Sequence, residues 1–272
     1  MIKKNKTQAF STQQDKALAE MVRSLGNANF PEALSHFVGK VIDFDNCIVL
    51  VYHKDHHPEE LYRESLDSLV YEKIQSHYVK AAYLLDPFYH MVRNGIQSGI
   101  HCIFDLAPDK FKQTSYFREY YDGTTLIDEF ALFARLGHET TLTVCFGREQ
   151  TSGSLFSKTQ LNTLKSFESV LSALCAQHWR SYQPKDGKNV VLPPVTQRLR
   201  VAMKNQHNIS LSPRQAEVAL YILQGHSSLS ISLNLNISKE TVKVFRRQLY
   251  SKCNISSQAE LFALLMPIFS ML

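Results

Sequence analysis

Long apolar runs are missing from this chain. None of its segments approaches the ~20 consecutive apolar residues that a helix needs to cross a bilayer, so no membrane span is expected. Paired cysteines are missing as well. Cys47, Cys102, Cys145, Cys175 and Cys253 are scattered, odd in number and without C-x-x-C spacing. That pattern suits free, mostly buried thiols in a reducing cytoplasm. The opening MIKKNKTQAFSTQQ is basic but has no apolar stretch behind it, so it does not read as a secretory signal. There is no glycine-rich phosphate loop and no nucleophile elbow. Without a coherent catalytic set the chain does not read as an enzyme, and no cofactor is expected. Tryptophan is nearly absent, Trp179 being the single one.

What is present divides the chain in two. At 272 residues it is comfortable as two domains, and an apolar fraction of 44% is ordinary for a globular protein. The charge is lopsided. Residues 198–272 carry nine Lys or Arg and three Glu, a net +6, whereas the whole chain is +5 and residues 1–197 are therefore near −1. Cations concentrated in one module are the electrostatic footprint of a phosphate-binding surface.

Residues 209–263 read as four short helices with a start or stop signal at nearly every joint. Ser212-Pro213-Arg214-Gln215 is a capping box with Pro at the first helical position, and Gly225 ends that helix. Ser227 or Ser228 caps a second helix and Ser238 a third, which runs to about Cys253. Asn254 ends the third, and Ser257-Gln258-Ala259-Glu260 is another capping box. At 100° per residue the third helix places Val242, Phe245, Leu249 and Cys253 on one side, and Lys239, Glu240, Lys243, Arg246, Arg247 and Tyr250 on the other. One side packs on its neighbours. The other offers cations to phosphates and to the acceptors of guanine in a major groove.

These residues resemble the LuxR-type (NarL/FixJ-type) helix-turn-helix of bacterial transcription regulators. The matching residues are LSPRQAEVALYILQG, Ile231, Leu235, NISKETVKVF, Leu249-Tyr250, Lys252 and SSQAEL, about a fifth of the chain. The resemblance implies a sequence-specific regulator that binds double-stranded DNA through a recognition helix over residues 238–253, with RNA polymerase as a further partner. It implies that Lys243, Val244 and Arg247 approach base edges and that Ser227, Thr241, Arg246 and Tyr250 serve the phosphates. Lys239, Glu240 and Lys252 complete the candidate DNA-binding set. Where that family commonly has Gly, Asn236 and Asn254 stand, and Phe245 stands where His is common; Asn tolerates the left-handed geometry such sites need.

The N-terminal part alternates differently. Helical spacing covers 13–25 and 31–41, followed by a buried strand at 46–52, a turn, and a second strand at 61–65. Helix is expected over 66–84, 87–92 and 109–121, a strand over 99–106, and a hairpin from 126–136 and 140–148. A long helix is expected over 157–182, opened by a capping box at Ser157. The order fits an α+β sensor domain of the GAF or PAS type, an antiparallel sheet with flanking helices, joined to an all-α four-helix LuxR-type helix-turn-helix domain. The boundaries are then 1–182 for the sensor, 183–197 for a Pro-rich linker and 198–272 for the DNA-binding domain.

Residues 71–133 hold 13 of the 29 aromatics, as a mostly apolar ligand pocket or an aromatic core would. Candidate pocket residues for a small-molecule effector are Tyr78, Tyr83, Asp86, Tyr89, Phe104, Tyr116, Tyr120, Phe130 and Arg135. Tyr78, Tyr83, Asp86 and Pro87 resemble the Trp/Tyr…Asp-Pro pattern of autoinducer-binding domains, without the Trp. YLLDPFY (83–89) and DLAPDKF (105–111) look more like orphan LuxR-type regulators with a different sensory domain. His53, His56 and His57 lie in a turn with no matching ligand set, so no metal site is expected. Adjacent Asp128 and Glu129 face opposite sides of a strand. A homodimer is the natural geometry for a two-fold operator; candidate seams are Leu164, Phe167, Leu171, Leu174, His178 and Tyr182, and the apolar tail 261–272. Two other readings stay open: a ligand-independent dimeric regulator, and an enzyme with a basic helical protein-interaction tail.

Overall fold

In the computed structural model, residues 11–53, 56–184 and 193–270 are described. The chain begins with α1 (Thr12–Arg23) and α2 (Phe30–Gly39). Strands β1 (Asn46–His53) and β2 (Glu59–Ser65) follow. Single turns of 3-10 and π helix then occupy Ser68–Tyr71, Ile74–Tyr78 and Ala82–Leu85, leading to α3 (Pro87–Arg93). Next come β3 (Gly99–Cys102), the one-turn helices α4 (Ile103–Leu106) and α5 (Ser115–Phe117), and a π turn at Arg118–Asp122. The hairpin β4 (Leu126–Arg135) and β5 (Thr140–Glu149) precedes α6 (Lys158–Lys165) and α7 (Glu168–His178). Five more helices complete the chain: α8 (Val195–His207), α9 (Pro213–Gln224), α10 (Ser228–Leu235), α11 (Lys239–Cys253) and α12 (Gln258–Phe269).

The strands form one antiparallel sheet in the order β2-β1-β5-β4-β3. Period-two alternation divides its side chains between two cores. Cys47, Val49, Val51, Phe130, Leu132, Val144 and Phe146 face α1, α2, α6 and α7. Ile48, Leu50, Tyr52, Ala131, Phe133 and Cys145 face the short turns of residues 70–121. The sheet is thus covered on both faces, with the buried tyrosines on the second.

That second core does not stop at the sensor. Phe111 and Tyr116 belong to the same apolar cluster as Leu199, Ile222, Leu223, Leu265 and Phe269 of the C-terminal helices. At the joint, the Lys110 N–H donates to the Gly225 carbonyl at 2.8 Å. Gly225 ends α9 at φ 95°, and a Cβ there would lie 2.8 Å from the Phe111 backbone. Glycine is needed on both counts, for the left-handed turn and for the approach.

Several expectations are corrected. Residues 66–84 and 109–121 form broken turns, not continuous helices, because Tyr71, Tyr78, Tyr116 and Tyr121 must all be turned inward over a curved sheet. Strand β3 ends at Cys102 and the chain turns into α4. The expected helix over 157–182 breaks at Ser166, whose hydroxyl donates to the Thr163 carbonyl at 2.6 Å. Phe167 then sets its ring edge-on to Phe37 at 5.5 Å. Ser157 makes no side-chain cap. Leu164 and Leu171 bury on their own sheet, and Leu261, Leu265, Ile268 and Phe269 fill the joint, so among the described residues neither expected seam presents an apolar stripe to solvent; 271 and 272 of the tail lie outside them. Helix α8 begins at Val195, inside the expected linker, of which 185–192 lie outside the described residues.

Replacing Gly225 by Ala is expected to cost about 1–3 kcal/mol, since the substitution adds strain and forces the joint apart. Chemical denaturation of the full chain checks it; an unchanged midpoint would show that the joint is not close-packed.

Candidate nucleic-acid interface and sensor pocket

The C-terminal surface is assembled by caps. Ser212 accepts from the Gln215 N–H at 3.2 Å while Gln215 Oε1 accepts from the Ser212 N–H at 3.0 Å, a reciprocal box that starts α9. Ser227 starts α10 by accepting from the Ser230 N–H, and Ser238 starts α11 by accepting from the Thr241 N–H at 3.0 Å. Asn208, Asn236 and Asn254 end α8, α10 and α11 in the left-handed conformation, with φ of 55°, 51° and 52°. Each is followed by Ile-Ser. The Ile237 and Ile255 N–H groups reach back to Ser232 and Tyr250 carbonyls at 3.0 Å, satisfying helix-end acceptors.

Helix α11 buries Val242, Leu249 and Cys253 and leaves Lys239, Glu240, Lys243, Val244 and Arg247 exposed. Lys243 pairs with Glu240 at 2.9 Å, an exposed pair easily exchanged for another anion. Arg246 lies 5.2 Å from the Tyr250 ring centroid and bonds its hydroxyl at 3.3 Å, which holds both against the helix. Thr241 is half-buried beside the cap. Lys252 departs from the candidate set. Nine residues from Lys243 is half a turn away, and its Nζ donates to the Ser210 carbonyl at 2.8 Å and Gln215 Oε1 at 3.0 Å. It is exposed and also fastens α11 to the segment before α9. Ser227 is also engaged, its N–H donating to Asp109 Oδ1 of the sensor at 2.9 Å. Burial acts to raise the Asp109 carboxyl, but hydrogen bonds from the Ser227 hydroxyl and N–H outweigh it and hold it below the usual range.

In the N-terminal domain, the nine candidate pocket residues do not converge. Tyr78, Asp86, Tyr116 and Tyr120 line one cavity of about 50 Å³, together with Asn46, Tyr71, Tyr121 and Glu129. Tyr83 packs edge-on to Tyr89 at 4.8 Å and hydrogen-bonds Arg198 of α8. Tyr89 and Arg135 line a separate open cleft with Arg93 and His138. Phe104 lies under Lys112, 4.3 Å from its ring centroid, at the 107–113 loop. Phe130 faces the opposite core, stacked on Phe146 at 5.1 Å, because strand parity sends it there. Parity also separates the adjacent acids. Asp128 accepts from the Phe156 N–H at 3.0 Å, and Glu129 accepts from the Tyr121 hydroxyl at 2.9 Å on the other side.

The cavity is acidic and phenolic. Asp86 accepts from the Phe88 N–H at 2.7 Å and from the Tyr78 hydroxyl, which also meets the Tyr52 hydroxyl at 2.7 Å. Burial pushes the Asp86 carboxyl up, against the pull of the Tyr78 and Phe88 hydrogen bonds. Burial, with Asp86 nearby, pushes Glu129 up to about 8. Among the described residues no group of three His, Cys, Asp or Glu is placed to hold a metal; His53 instead bonds Thr140 at 2.7 Å and His57 packs on Tyr83. Glu129 and Tyr121 were recoverable from β4 alternation and the local aromatic density, whereas no local signal marks Asp109, whose partner is 118 residues away.

Comparison with known proteins places residues 209–265 in the luxR family of bacterial regulatory proteins. A protein of Aeromonas salmonicida, provisionally named an HTH-type transcriptional regulator in the exeN 3' region, is 28% identical over 182 residues, 66% of this chain and 92% of that protein. The VqsR LBD domain of Pseudomonas aeruginosa superposes with a TM-score of 0.53 at 24% identity, covering 64% of this chain and 100% of that one, which shows a shared fold. Escherichia coli SdiA covers 95% of this chain and 98% of its own at 15% identity, but its TM-score of 0.42 is too low to support an argument.

An unfolded Glu129 titrates near the ordinary carboxylate value of about 4.3. Between there and about 8 the folded chain holds a proton that the unfolded chain has released, so stability declines as pH rises through that window. Buried His90, held down to about 4, works in the opposite sense, but only below about pH 6.5. The melting temperature is therefore expected to fall between pH 6.5 and 8, and the Glu129→Gln variant to show a flatter profile; parallel profiles would place the titration elsewhere.

Proposed function

We propose that this chain, which carries a luxR-family helix-turn-helix domain at its C terminus, is a DNA-binding transcriptional regulator controlled through its N-terminal α+β domain. The observation that carries the reading is the outward face of α11, where Lys239, Lys243, Val244 and Arg247 are exposed on a helix fixed from behind by Val242 and Leu249. Such a rod enters a major groove with its cations toward phosphates and guanine acceptors, and Val244 offers an apolar contact to a thymine methyl. A cytoplasmic homodimer on a two-fold site, acting with RNA polymerase, is the corresponding assembly.

Control follows from the joint. The Asp109 carboxylate occupies the Ser227 N–H at the start of α10, where a helix N-terminus otherwise receives a phosphate. Gly225 is held alongside by Lys110. In this state the sensor competes with DNA for the same donor. An effector favouring an undocked state would shift the balance only by its differential affinity for the two states. A second reading, a regulator needing no ligand, draws support from the tyrosine-lined cavity of about 50 Å³, since sites for drug-sized ligands span about 300–1,000 Å³; the open cleft beside Tyr89 and Arg135, about 360 Å³, is large enough for one.

Three measurements bear on the proposal. Lys243→Ala and Arg247→Ala should each weaken specific DNA binding by about 1–3 kcal/mol while sparing the fold. Equal losses on random and specific duplex would remove base reading. Affinity should fall steeply with salt, as counterion release requires, and a flat salt slope would sink DNA binding altogether. Asp109→Ala in the full chain should raise DNA affinity about two- to five-fold, and an unchanged affinity would show that Asp109 does not compete.

A further inference from the structure

We propose that the sensor cavity is a site for a small organic ammonium ion, or for the alkylammonium head of a larger amine, held by Glu129 within a box of tyrosines. The inference rests on the regulator reading above and names the chemical class of its effector.

Three observations converge. The first is composition. The cavity is walled by the rings of Tyr71, Tyr78, Tyr116, Tyr120 and Tyr121, with the carboxyls of Asp86 and Glu129, and no Lys, Arg or His lines it. Tyr116 and Tyr120 are stacked with centroids 4.8 Å apart, and Tyr78 stands edge-on to Tyr120 at 6.1 Å. Ring faces around carboxylates attract alkylammonium ions, which present a weakly hydrated apolar shell around a positive charge.

The second is an unmet hydrogen bond. Tyr120 is 9% exposed, yet its hydroxyl is buried without a partner. A buried hydroxyl left in that condition costs free energy, and an N–H donor in the cavity would relieve it. The two acids differ in the same respect. Asp86 is saturated by Phe88, Tyr78 and Tyr116, which makes it part of the wall. Glu129 is part-buried and takes the Tyr121 hydroxyl, so it is the acid positioned to receive a charge.

The third is size. A cavity of about 50 Å³ takes about four atoms, at the ~10–15 Å³ that one water requires. Methylammonium and trimethylammonium fit that limit. A long acyl chain does not.

The site also carries its own placeholder. Without a cation, Glu129 keeps a proton up to about pH 8, so binding a cation at neutral pH expels that proton. The groups facing Glu129 are Asp86, Tyr116, Tyr121 and Cys145, with Asp128 beside it on the other side of the strand; Asp86, Asp128 and the Cys145 thiol are themselves pushed up by burial, so none supplies a competing positive charge.

The test is calorimetry and thermal shift on the full chain with methylammonium and trimethylammonium chloride, against sodium and potassium chloride and against neutral isobutanol. The expected result is saturable binding of an alkylammonium, with a Kd no tighter than about 10–100 µM for trimethylammonium and about 5 mM for methylammonium, from the ceiling on ligands of this size. Proton release should accompany it, and affinity should rise close to ten-fold between pH 6.5 and 7.5. Glu129→Gln should abolish both binding and proton release. Tyr120→Phe removes an oxygen that has no partner, so the free protein should melt about 2–4 °C higher while binding weakens several-fold. Equal shifts with isobutanol, an equal response to sodium or potassium, or no shift with either ammonium would overturn the proposal. A chain that binds DNA but no ammonium leaves the regulator reading standing without this ligand. A chain that binds ammonium with no change in DNA affinity leaves the site standing and removes control through it.

Discussion

The contact of Phe111 with Gly225 governs how the two halves of this chain relate. A single side-chain atom on residue 225 would push the sensor loop away, and its absence lets one apolar cluster run from the sheet into α9 and α12. Apolar burial of this kind is non-directional, so it supplies attraction without choosing a geometry. The geometry is chosen by polar bonds, Lys110 N–H to the Gly225 carbonyl, Ser227 N–H to Asp109 and Tyr83 with Arg198.

How much could be read from the chain alone follows from the range of the interactions involved. The C-terminal helices were legible because caps act over three residues: Ser212 with Gln215, Ser238 with Thr241, Ser257 with Glu260. The buried strands were legible for a similar reason, since the apolar run at 46–52 and the hairpin spacing of 126–136 and 140–148 are local signals. The broken turns over 68–85 were not. Their apolar residues share a helical spacing, but tertiary packing of Tyr71 and Tyr78 against the sheet overrode it. Lys252 illustrates the same limit within a correctly expected helix. Its type fits a cationic face, and only its angular position assigns it to the fold.

The N-terminal cavity was half legible. Aromatic density pointed to the right region, but density has no direction. Phe130 belongs to the other core by strand parity, and Arg135 lies at the end of β4 in an open cleft. What assembled Tyr78, Asp86, Tyr116, Tyr120 and Glu129 was topology: β4 lies two strands from β1 in the sheet order, and the connection from 66 to 122 folds across that face. Such a convergence of distant positions leaves no periodic trace.

One feature of the helix ends reaches beyond folding. Asn208, Asn236 and Asn254 each open an Asn-Ile-Ser triplet, and all three are exposed where they terminate helices. The triplet that lets the backbone turn left is also the acceptor that oligosaccharide transferases read. Made in a eukaryotic secretory route, the chain would offer three sugar acceptors in its C-terminal domain, two of them flanking α11, and a glycan there would hold any duplex at a distance that no substitution in α11 could remedy.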